Sequence, residues 1–137
     1  KLTEKTIYTQ LAQFIGTPPM NTLPGTFTSE GGPAVDVGGG RVALAPAQAA
    51  GLEEGRPLVV GVRPEYLVIT PDGPLEQKIR AVEWLGHECL VFASVGDTPV
   101  IVRQVGMLAM DAGDTARLAV DPAHVHLFDP DTTERLT

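Results

Sequence analysis

Glycine and proline divide this sequence into short segments, and that constrains its fold more than any other feature. The chain contains 15 glycines and 12 prolines in 137 residues. Both residue types interrupt regular structure, proline because it lacks a backbone N–H and glycine because it favours turns. Long stretches with helical periodicity are absent. The sequence therefore predicts an all-β fold of seven to ten short strands, of the kind found in small Greek-key barrels, with one short N-terminal helix.

An apolar run at residues 58–62 leads directly into a charged corner. The run is rich in β-branched residues and contains Gly61, which predicts a strand buried on both faces with a close neighbour at the glycine. Pro64 ends this strand and holds Arg63 extended, because proline cannot donate to a ladder and restricts the residue before it. If the chain remains extended there, Arg63 and Glu65 project from the same side. We expect them to brace the corner; the alternative is a docking or ligand site.

The composition argues against several classes of function. The chain carries 10 basic and 17 acidic residues, a net charge of −7, and the second half is the more acidic. Phosphate backbones would be repelled, so nucleic acid is not an expected partner. The single cysteine, Cys89, allows no internal disulfide and favours a reducing compartment. No apolar run approaches the roughly 20 residues of a membrane helix, and no signal-peptide pattern opens the chain.

Apolar spacing and turn residues place the individual elements. Ile7, Leu11, Phe14 and Ile15 predict a short helix that ends at Gly16. The other expected elements are a turn at 23–25, a hairpin over 35–44, an alanine-rich helix at 47–52 and a break at 70–74. They continue with a meander of strands at 76–84, 89–95 and 100–105, a strand at 115–120, a one-turn helix capped by Asp121 and a final strand at 126–129. The segment 75–85 also has spacing compatible with a short helix; its place beside a hairpin favours a strand.

Motifs for catalysis are not found. Gly38-Gly39-Gly40 is followed by Arg41-Val42 rather than by the Lys-Ser/Thr of a phosphate-binding loop, and no nucleophile motif is present. His87-x-Cys89 and His124-x-His126 have spacings that would aim paired ligands from one strand face, which suggests zinc. None of these spacings matches a closed zinc site. We therefore interpret them as a turn, a buried strand and a helix cap, and expect no metal and no catalytic residue.

Five segments, taken together in order and spacing, resemble one family. They are residues 14–21 (FIGTPPMN), 61–67 (GVRPEYL), 82–88 (VEWLGHE), 102–104 (VRQ) and 126–129 (HLFD). This set is similar to the region that follows the nucleotide-binding domain in ATPase subunits of bacterial sugar ABC importers, of which the maltose and glycerol-3-phosphate importers are the reference members. The residues of the first and last segments are more similar to the glycerol-3-phosphate type.

The resemblance implies a fold and a role. The fold is an OB-type β-barrel arrangement of the kind called TOBE, with residues 1–16 as a helical junction, 17–137 as the regulatory β domain, and an internal boundary near 70–75. The role is non-catalytic: such a region pairs two ATPase subunits and in some members receives regulatory proteins. The implied partners are a second copy of the subunit, the permease subunits through the missing ATPase half and possible regulatory proteins. The implied location is the cytoplasmic face of the membrane.

The resemblance also suggests residues and shows departures. Candidate contacts with the second subunit or another partner are Trp84, Leu85, Gly86, His87, Glu88, Arg103 and Gln104, while Arg63, Pro64 and Glu65 form a structural corner. No ATP-binding motif is present, so ATP and Mg²⁺ would belong to the missing ATPase half, and the chain is expected to be an excised domain. The N-terminal helix is shorter than usual, and Tyr66 replaces the common histidine after Arg-Pro-Glu. The alternative function is a small-ligand or oxyanion sensor that uses Arg63, Arg103 and Gln104.

Overall fold

The structure, a computed structural model, describes residues 20–106, 110–132 and 135–136. These residues form ten strands in two five-stranded sheets whose paired strands are all antiparallel. The predicted all-β fold with short strands is confirmed. The helix expected at 7–15 lies outside the described residues.

The first sheet contains the β-branched run that stood out in the sequence. Its strands, which lie in the order β10-β4-β1-β2-β3, are β1 (Asn21–Thr28), β2 (Ala34–Asp36), β3 (Arg41–Ala43), β4 (Pro57–Val62) and β10 (His126–Phe128). The predicted hairpin is β2 and β3, with Val35 opposite Val42. A short helix, α1 (Pro46–Ala49), connects β3 to β4. Gly61 does admit close neighbours, because a Cβ there would lie 2.5 Å from the Met20 sulfur and 2.7 Å from a ring carbon of Phe128.

The second sheet is the predicted meander with two further strands. It consists of β5 (Val68–Ile69), β6 (Leu75–Trp84), β7 (Glu88–Val95), β8 (Thr98–Val105) and β9 (Thr115–Ala119), in the order β5-β9-β6-β7-β8. The strand interpretation of β6 is therefore confirmed over the helical one. A β-bulge between Ile79 and Ala81 shifts the β6–β7 register. The bulge places Val82 and Trp84 opposite the core residues Val91 and Cys89, so that Trp84 belongs to the inner side of the sheet.

Two 3₁₀ turns carry the chain between the sheets. Pro64–Tyr66 follows β4 and leads to β5, and Pro122–His124 follows β9 and leads to β10. The predicted cap of the second turn is confirmed, since an Asp121 carboxylate oxygen accepts a hydrogen bond from Ala123 N at 2.9 Å. The proline-rich break at 70–74 is a turn between β5 and β6. The domain boundary proposed there remains a prediction.

One local prediction was wrong. Leu23-Pro24-Gly25 was expected to turn, but it runs through the middle of β1. Pro24 is tolerated because β2 pairs only with Thr26–Thr28, so that no ladder requires the missing N–H. Gly25 permits the approach of β2, since a Cβ there would overlap the Asp36 carbonyl oxygen. Pro24 therefore lies where β1 is paired on one side only, and Gly25 lies where the backbone of β2 comes close. Both residue types, which are typical of turns, are accommodated within a strand here.

The two sheets enclose one core and are tied together by backbone contacts. Both contribute fully buried aliphatic side chains, among them Leu23, Val60 and Leu127 from the first and Leu75, Val91 and Leu118 from the second. Glu76 N donates to Gly39 O at 2.9 Å, and Gly40 forms a β-bridge with Leu75. Asn21 of β1 is also hydrogen-bonded through its buried side chain to the backbone of Ile101 in β8.

Candidate functional site

The corner at Arg63 departs from its predicted geometry. Arg63 is extended (φ −72°, ψ 149°), as the following proline requires. Pro64, however, begins a 3₁₀ turn, and Tyr66 N donates to Arg63 O at 3.0 Å. The extended chain that would place Arg63 and Glu65 on the same side is therefore not found, and the role of Arg63, Pro64 and Glu65 as a structural corner stays a prediction. Among the described residues the ion pairs are Arg56–Asp129, Arg103–Glu88 and Arg117–Glu76, and Pro64 at the corner is buried.

The antiparallel ladder of β4 and β10 brings basic side chains together beyond the corner. His126 lies opposite Gly61, and both Val62 and Val125 are buried. Arg63 directly follows β4 and His124 ends the 3₁₀ turn that precedes β10, and the charges of both act on His126. Residues 135–136 lie along the other edge of β10, where Arg135 forms a bridge with Phe128 and a guanidinium nitrogen of Arg135 lies 2.7 Å from His126 Nδ1. We call Arg63, His124, His126 and Arg135 the basic face.

Tyr66 closes one end of the basic face. Its ring is stacked on the imidazole of His124, with centroids 3.7 Å apart and planes inclined by 1°. The two rings belong to the two 3₁₀ turns, so the stack joins the points where the chain leaves and re-enters the first sheet. The second turn is also held by Gln48 of α1, whose amide donates to Pro122 O at 2.8 Å and to Val125 O at 3.1 Å. Neither contact is predictable from the spacing of residues in the sequence.

Charges on the basic face act on the imidazole of His126. The pKa of His126 is lowered, first by burial and then by the positive charges of Arg135, Arg63 and His124. One sequence signal points to this cluster, the two-residue spacing of His124 and His126, which is also compatible with a zinc pattern. Arg63 was singled out separately, and only the β4–β10 register brings it to the histidines.

Five of the candidate partner contacts, together with Val105, define one end of the second sheet. We call Trp84, Leu85, Gly86, His87, Glu88 and Val105 the sheet tip. Three of its residues are apolar and exposed, Trp84 at 50%, Leu85 at 41% and Val105 at 74% of the residue's full surface. The β6–β7 turn that carries Leu85 is closed by Leu85 N donating to Glu88 O at 2.8 Å. Val105 was not predicted, because a valine at a strand end is indistinguishable in sequence from a core valine.

A half-buried ion pair borders the sheet tip. Glu88 accepts hydrogen bonds from Nε of Arg103 at 3.1 Å and from a terminal guanidinium nitrogen at 2.8 Å. The bond to Glu88 raises the pKa of Arg103. The neighbouring Gln104 donates to Val105 O at 3.3 Å. Arg103 and Gln104, proposed as oxyanion donors alongside Arg63, are thus engaged with their own sheet.

The two His/Cys pairs are not brought together. His87 is exposed in the β6–β7 turn, whereas Cys89 is fully buried in β7. Burial, together with the adjacent Glu88 carboxylate, raises the pKa of the Cys89 thiol. Across the described ranges, no three His, Cys, Asp or Glu side chains are grouped in a way that would hold a metal ion. No described helix is long and apolar enough to cross a membrane.

The sequence matches two family models that together span both sheets. Residues 16–67 match the MalK OB fold domain and residues 60–128 match the TOBE domain. Among solved structures, the cytoplasmic molybdate-binding protein ModG resembles the fold with a TM-score of 0.65, over 85% of this chain and 100% of that chain. At 18% identity this likeness shows the fold alone. The predicted OB/TOBE architecture is confirmed.

Two similar proteins are ATP-binding proteins of transport systems. The chain is 40% identical over 131 residues to the sn-glycerol-3-phosphate import ATP-binding protein UgpC of Cereibacter sphaeroides, covering 93% of this chain and 35% of that protein. It is 36% identical over 124 residues to the alpha-glucoside transport ATP-binding protein AglK of Rhizobium meliloti, covering 87% of this chain and 34% of that protein. It thus spans about a third of these relatives. The chain belongs to the TOBE domain family, joined to a MalK-type OB fold, as found in ATP-binding subunits of sugar and glycerol-3-phosphate ABC importers.

Proposed function

We propose that this chain is the non-catalytic regulatory and dimerisation domain of the ATP-binding subunit of an ABC importer for a sugar or for glycerol 3-phosphate. It works at the cytoplasmic face of the membrane, and the permease subunits are reached through the ATPase part of the subunit. The names of the relatives, an sn-glycerol-3-phosphate import ATP-binding protein and an alpha-glucoside transport ATP-binding protein, support the solute class. ATP and Mg²⁺ belong to that ATPase part, because the sequence carries none of its motifs.

The sheet tip is the surface that carries the dimerisation proposal. Trp84, Leu85 and Val105 expose apolar side chains at one end of the second sheet, with Trp84 on the face of Cys89 and Val105 on the face of Glu88, and exposed apolar side chains of this kind mark protein contacts. The Arg103–Glu88 pair beside them supplies a polar rim. Around a two-fold axis the same residues would meet their own copies, and a tryptophan at the centre is the residue type that most often dominates such contacts.

Sedimentation equilibrium over a range of protein concentrations tests the proposal. The chain should show a concentration-dependent monomer–dimer equilibrium. Val105→Glu should weaken it by about tenfold or more, because a carboxylate would be buried against apolar surface in each copy. Ala43→Glu is the matched control, since it adds the same charge to an exposed position of the edge strand β3. A chain that stays monomeric at all concentrations, or equal effects of both variants, would refute the sheet tip as the dimer contact.

A further inference from the structure

We propose that residues 135–136 form a strap over the outer edge of β10 that a single proton releases, with the hydrogen bond between Arg135 and His126 as its latch. The strap is closed while the His126 imidazole is neutral and opens when that ring is protonated. This device lies on the first sheet, whereas the sheet tip lies on the second. It therefore does not depend on the proposed dimerisation, and either proposal can fail alone.

Backbone contacts hold the strap to β10. Leu136 N donates to Leu127 O at 2.7 Å, and Arg135 forms an antiparallel bridge with Phe128. The opposite edge of β10 pairs with β4, where Leu127 lies across from Val60. The strap thus extends the first sheet by a short stretch beyond β10. It covers a strand edge whose backbone groups would otherwise be presented to other molecules.

The latch can form in only one protonation state of the histidine. A guanidinium nitrogen of Arg135 lies 2.7 Å from Nδ1 of His126. A guanidinium group donates hydrogen bonds but accepts none, and it remains charged throughout the physiological pH range. Nδ1 must therefore be the acceptor, and the neutral imidazole carries its proton on Nε2. A second proton would bind to Nδ1, which would then become a donor and place two positive charges in contact.

The charges that act on His126 come from three elements, and all of them favour the neutral ring. The pKa of His126 is lowered first by burial and then by Arg135 of the strap, by Arg63 after β4 and by His124 of the preceding 3₁₀ turn. The ring of Tyr66, which is stacked on His124, adds no charge near pH 7. The elements around the imidazole therefore oppose its protonation while the strap is closed.

Carboxylates on the described elements beside β10 are engaged elsewhere. Asp129 accepts hydrogen bonds from two backbone N–H groups that follow it and pairs with Arg56. Asp121 caps its own turn, and Glu65 interacts with Arg103. None of these three carboxylates is among the groups that shift the pKa of His126. On these elements a protonated His126 would have no anionic partner to compensate for the loss of the latch.

Proton linkage determines the direction of the response. When the strap opens, His126 no longer experiences the positive charge of Arg135, so the pKa of the ring rises towards its ordinary value of about 6.5. A group whose pKa is lower in the closed state than in the open state stabilises the closed state above the open-state value. That stability is lost as the pH falls through the lowered pKa. Mild acid should therefore release the strap.

NMR measurements on the backbone amide of Leu136 test the proposal. Between about pH 8 and about pH 5 carboxylates remain ionised, so the three histidines are the side chains expected to titrate. The heteronuclear ¹H–¹⁵N NOE of Leu136 should be high at the upper pH and should fall at the lower pH, with a midpoint that matches the titration of the His126 ring. The amide of Thr70, which donates to Arg117 O on the second sheet, is the internal reference and should not change.

Substitutions separate the latch from a general effect of acid. His126→Gln offers Arg135 a carbonyl acceptor that gains no proton, so the strap should stay closed at both pH values. His87→Gln removes an exposed histidine from the second sheet and should leave the response of Leu136 unchanged. Arg135→Gln should raise the pKa of His126, because it removes one of the positive charges that lower it.

The size of the response and three contrary results complete the test. In the unsubstituted chain, the ratio of open to closed strap should rise by about fivefold or more between the two pH values, the size of a lost hydrogen bond to a charged group. The proposal would be overturned by a Leu136 amide that is equally ordered at both pH values. Equal release in His126→Gln, or an unchanged titration of His126 in Arg135→Gln, would also overturn it.

Discussion

The side chain of Asn21 completes the edge of the second sheet by bonding to both backbone groups of Ile101. Its Nδ2 donates to Ile101 O at 2.8 Å, and its Oδ1 accepts from Ile101 N at 2.7 Å. Ile101 lies opposite Phe92 of β7, and its N–H and C=O face away from that strand. Asn21 itself belongs to β1 of the first sheet. One amide therefore acts as a strand neighbour for β8 and joins the two sheets where an open edge would otherwise remain.

Replacing Asn21 with alanine should destabilise the fold by about 3 kcal/mol, because two buried hydrogen bonds are lost and both backbone groups of Ile101 are left without them. Urea denaturation measures the change. Thr22→Ala, at the exposed neighbouring position, should change stability by less than about 0.5 kcal/mol. A loss below about 1 kcal/mol for Asn21→Ala would show that the amide is not a structural tie.

Substituting two glycines of the β2–β3 loop distinguishes the cost of backbone strain from the cost of disturbing close packing between the sheets. Gly38 and Gly40 both have positive φ, 86° and 144°. A Cβ at Gly38 would meet nothing within 4 Å, whereas at Gly40 it would overlap the Pro74 carbonyl oxygen and lie 3.1 Å from the Leu75 Cα. We expect Gly38→Ala to cost about 1 kcal/mol and Gly40→Ala at least about 3 kcal/mol. Equal losses in urea denaturation would mean that the sheets do not approach closely here.

Gln77 is a candidate for stabilisation. It is fully buried in β6 between Leu75 and Ile79, and within the described part of the chain neither of its amide atoms has a hydrogen-bond partner. Gln77→Met keeps the shape and removes the desolvated amide, so it should raise the free energy of unfolding by about 1 kcal/mol. Gln77→Ala is the comparison, which should destabilise because it opens a cavity. A destabilising methionine would show that the amide is needed in the folded state.

The loop between β1 and β2 should become less well held in acid. Glu54 accepts hydrogen bonds from Ser29 N and Oγ, both at 2.8 Å, and these bonds lower the pKa of the Glu54 carboxyl. A lowered folded-state pKa contributes stability above the unfolded-state value and loses it as the pH falls through the folded-state value. The stability difference between the wild type and Glu54→Gln should therefore shrink from about pH 5 to about pH 3. A difference independent of pH would contradict the assignment.

Local patterns predicted most of the elements. The meander of β6, β7 and β8 follows from turn residues such as Gly86 and Gly96, both of which adopt positive φ. The Asp121 cap and the close approach at Gly61 were likewise encoded within a few residues of the chain. These features depend on short-range chemistry, which a single sequence displays.

Features that depend on pairing across the chain were not predictable in the same way. Pro24 predicts a turn from the sequence alone. Its place inside a strand depends on β2 pairing only with Thr26–Thr28, which the sequence does not reveal. Asn21 and Ile101 are 80 residues apart, and no spacing rule connects them. The basic face requires the β4–β10 register to bring Arg63 to His126. The bulge at Arg80 determines the face on which Trp84 lies. The alternation of apolar and polar residues earlier in β6 does not predict this bulge.

Cross-linking through position 105 tests the central claim, that two copies meet at the sheet tip. The only natural cysteine, Cys89, is buried, so Val105→Cys introduces a single accessible thiol. A short bis-maleimide should convert this variant into a covalent dimer with a yield that follows the dimer population as concentration rises. Ala43→Cys should react with the reagent equally well but form no covalent dimer, because the β3 edge lies outside the proposed contact. Equal cross-linking at positions 43 and 105, or none at 105 in a sample that sedimentation shows to be dimeric, would contradict the account.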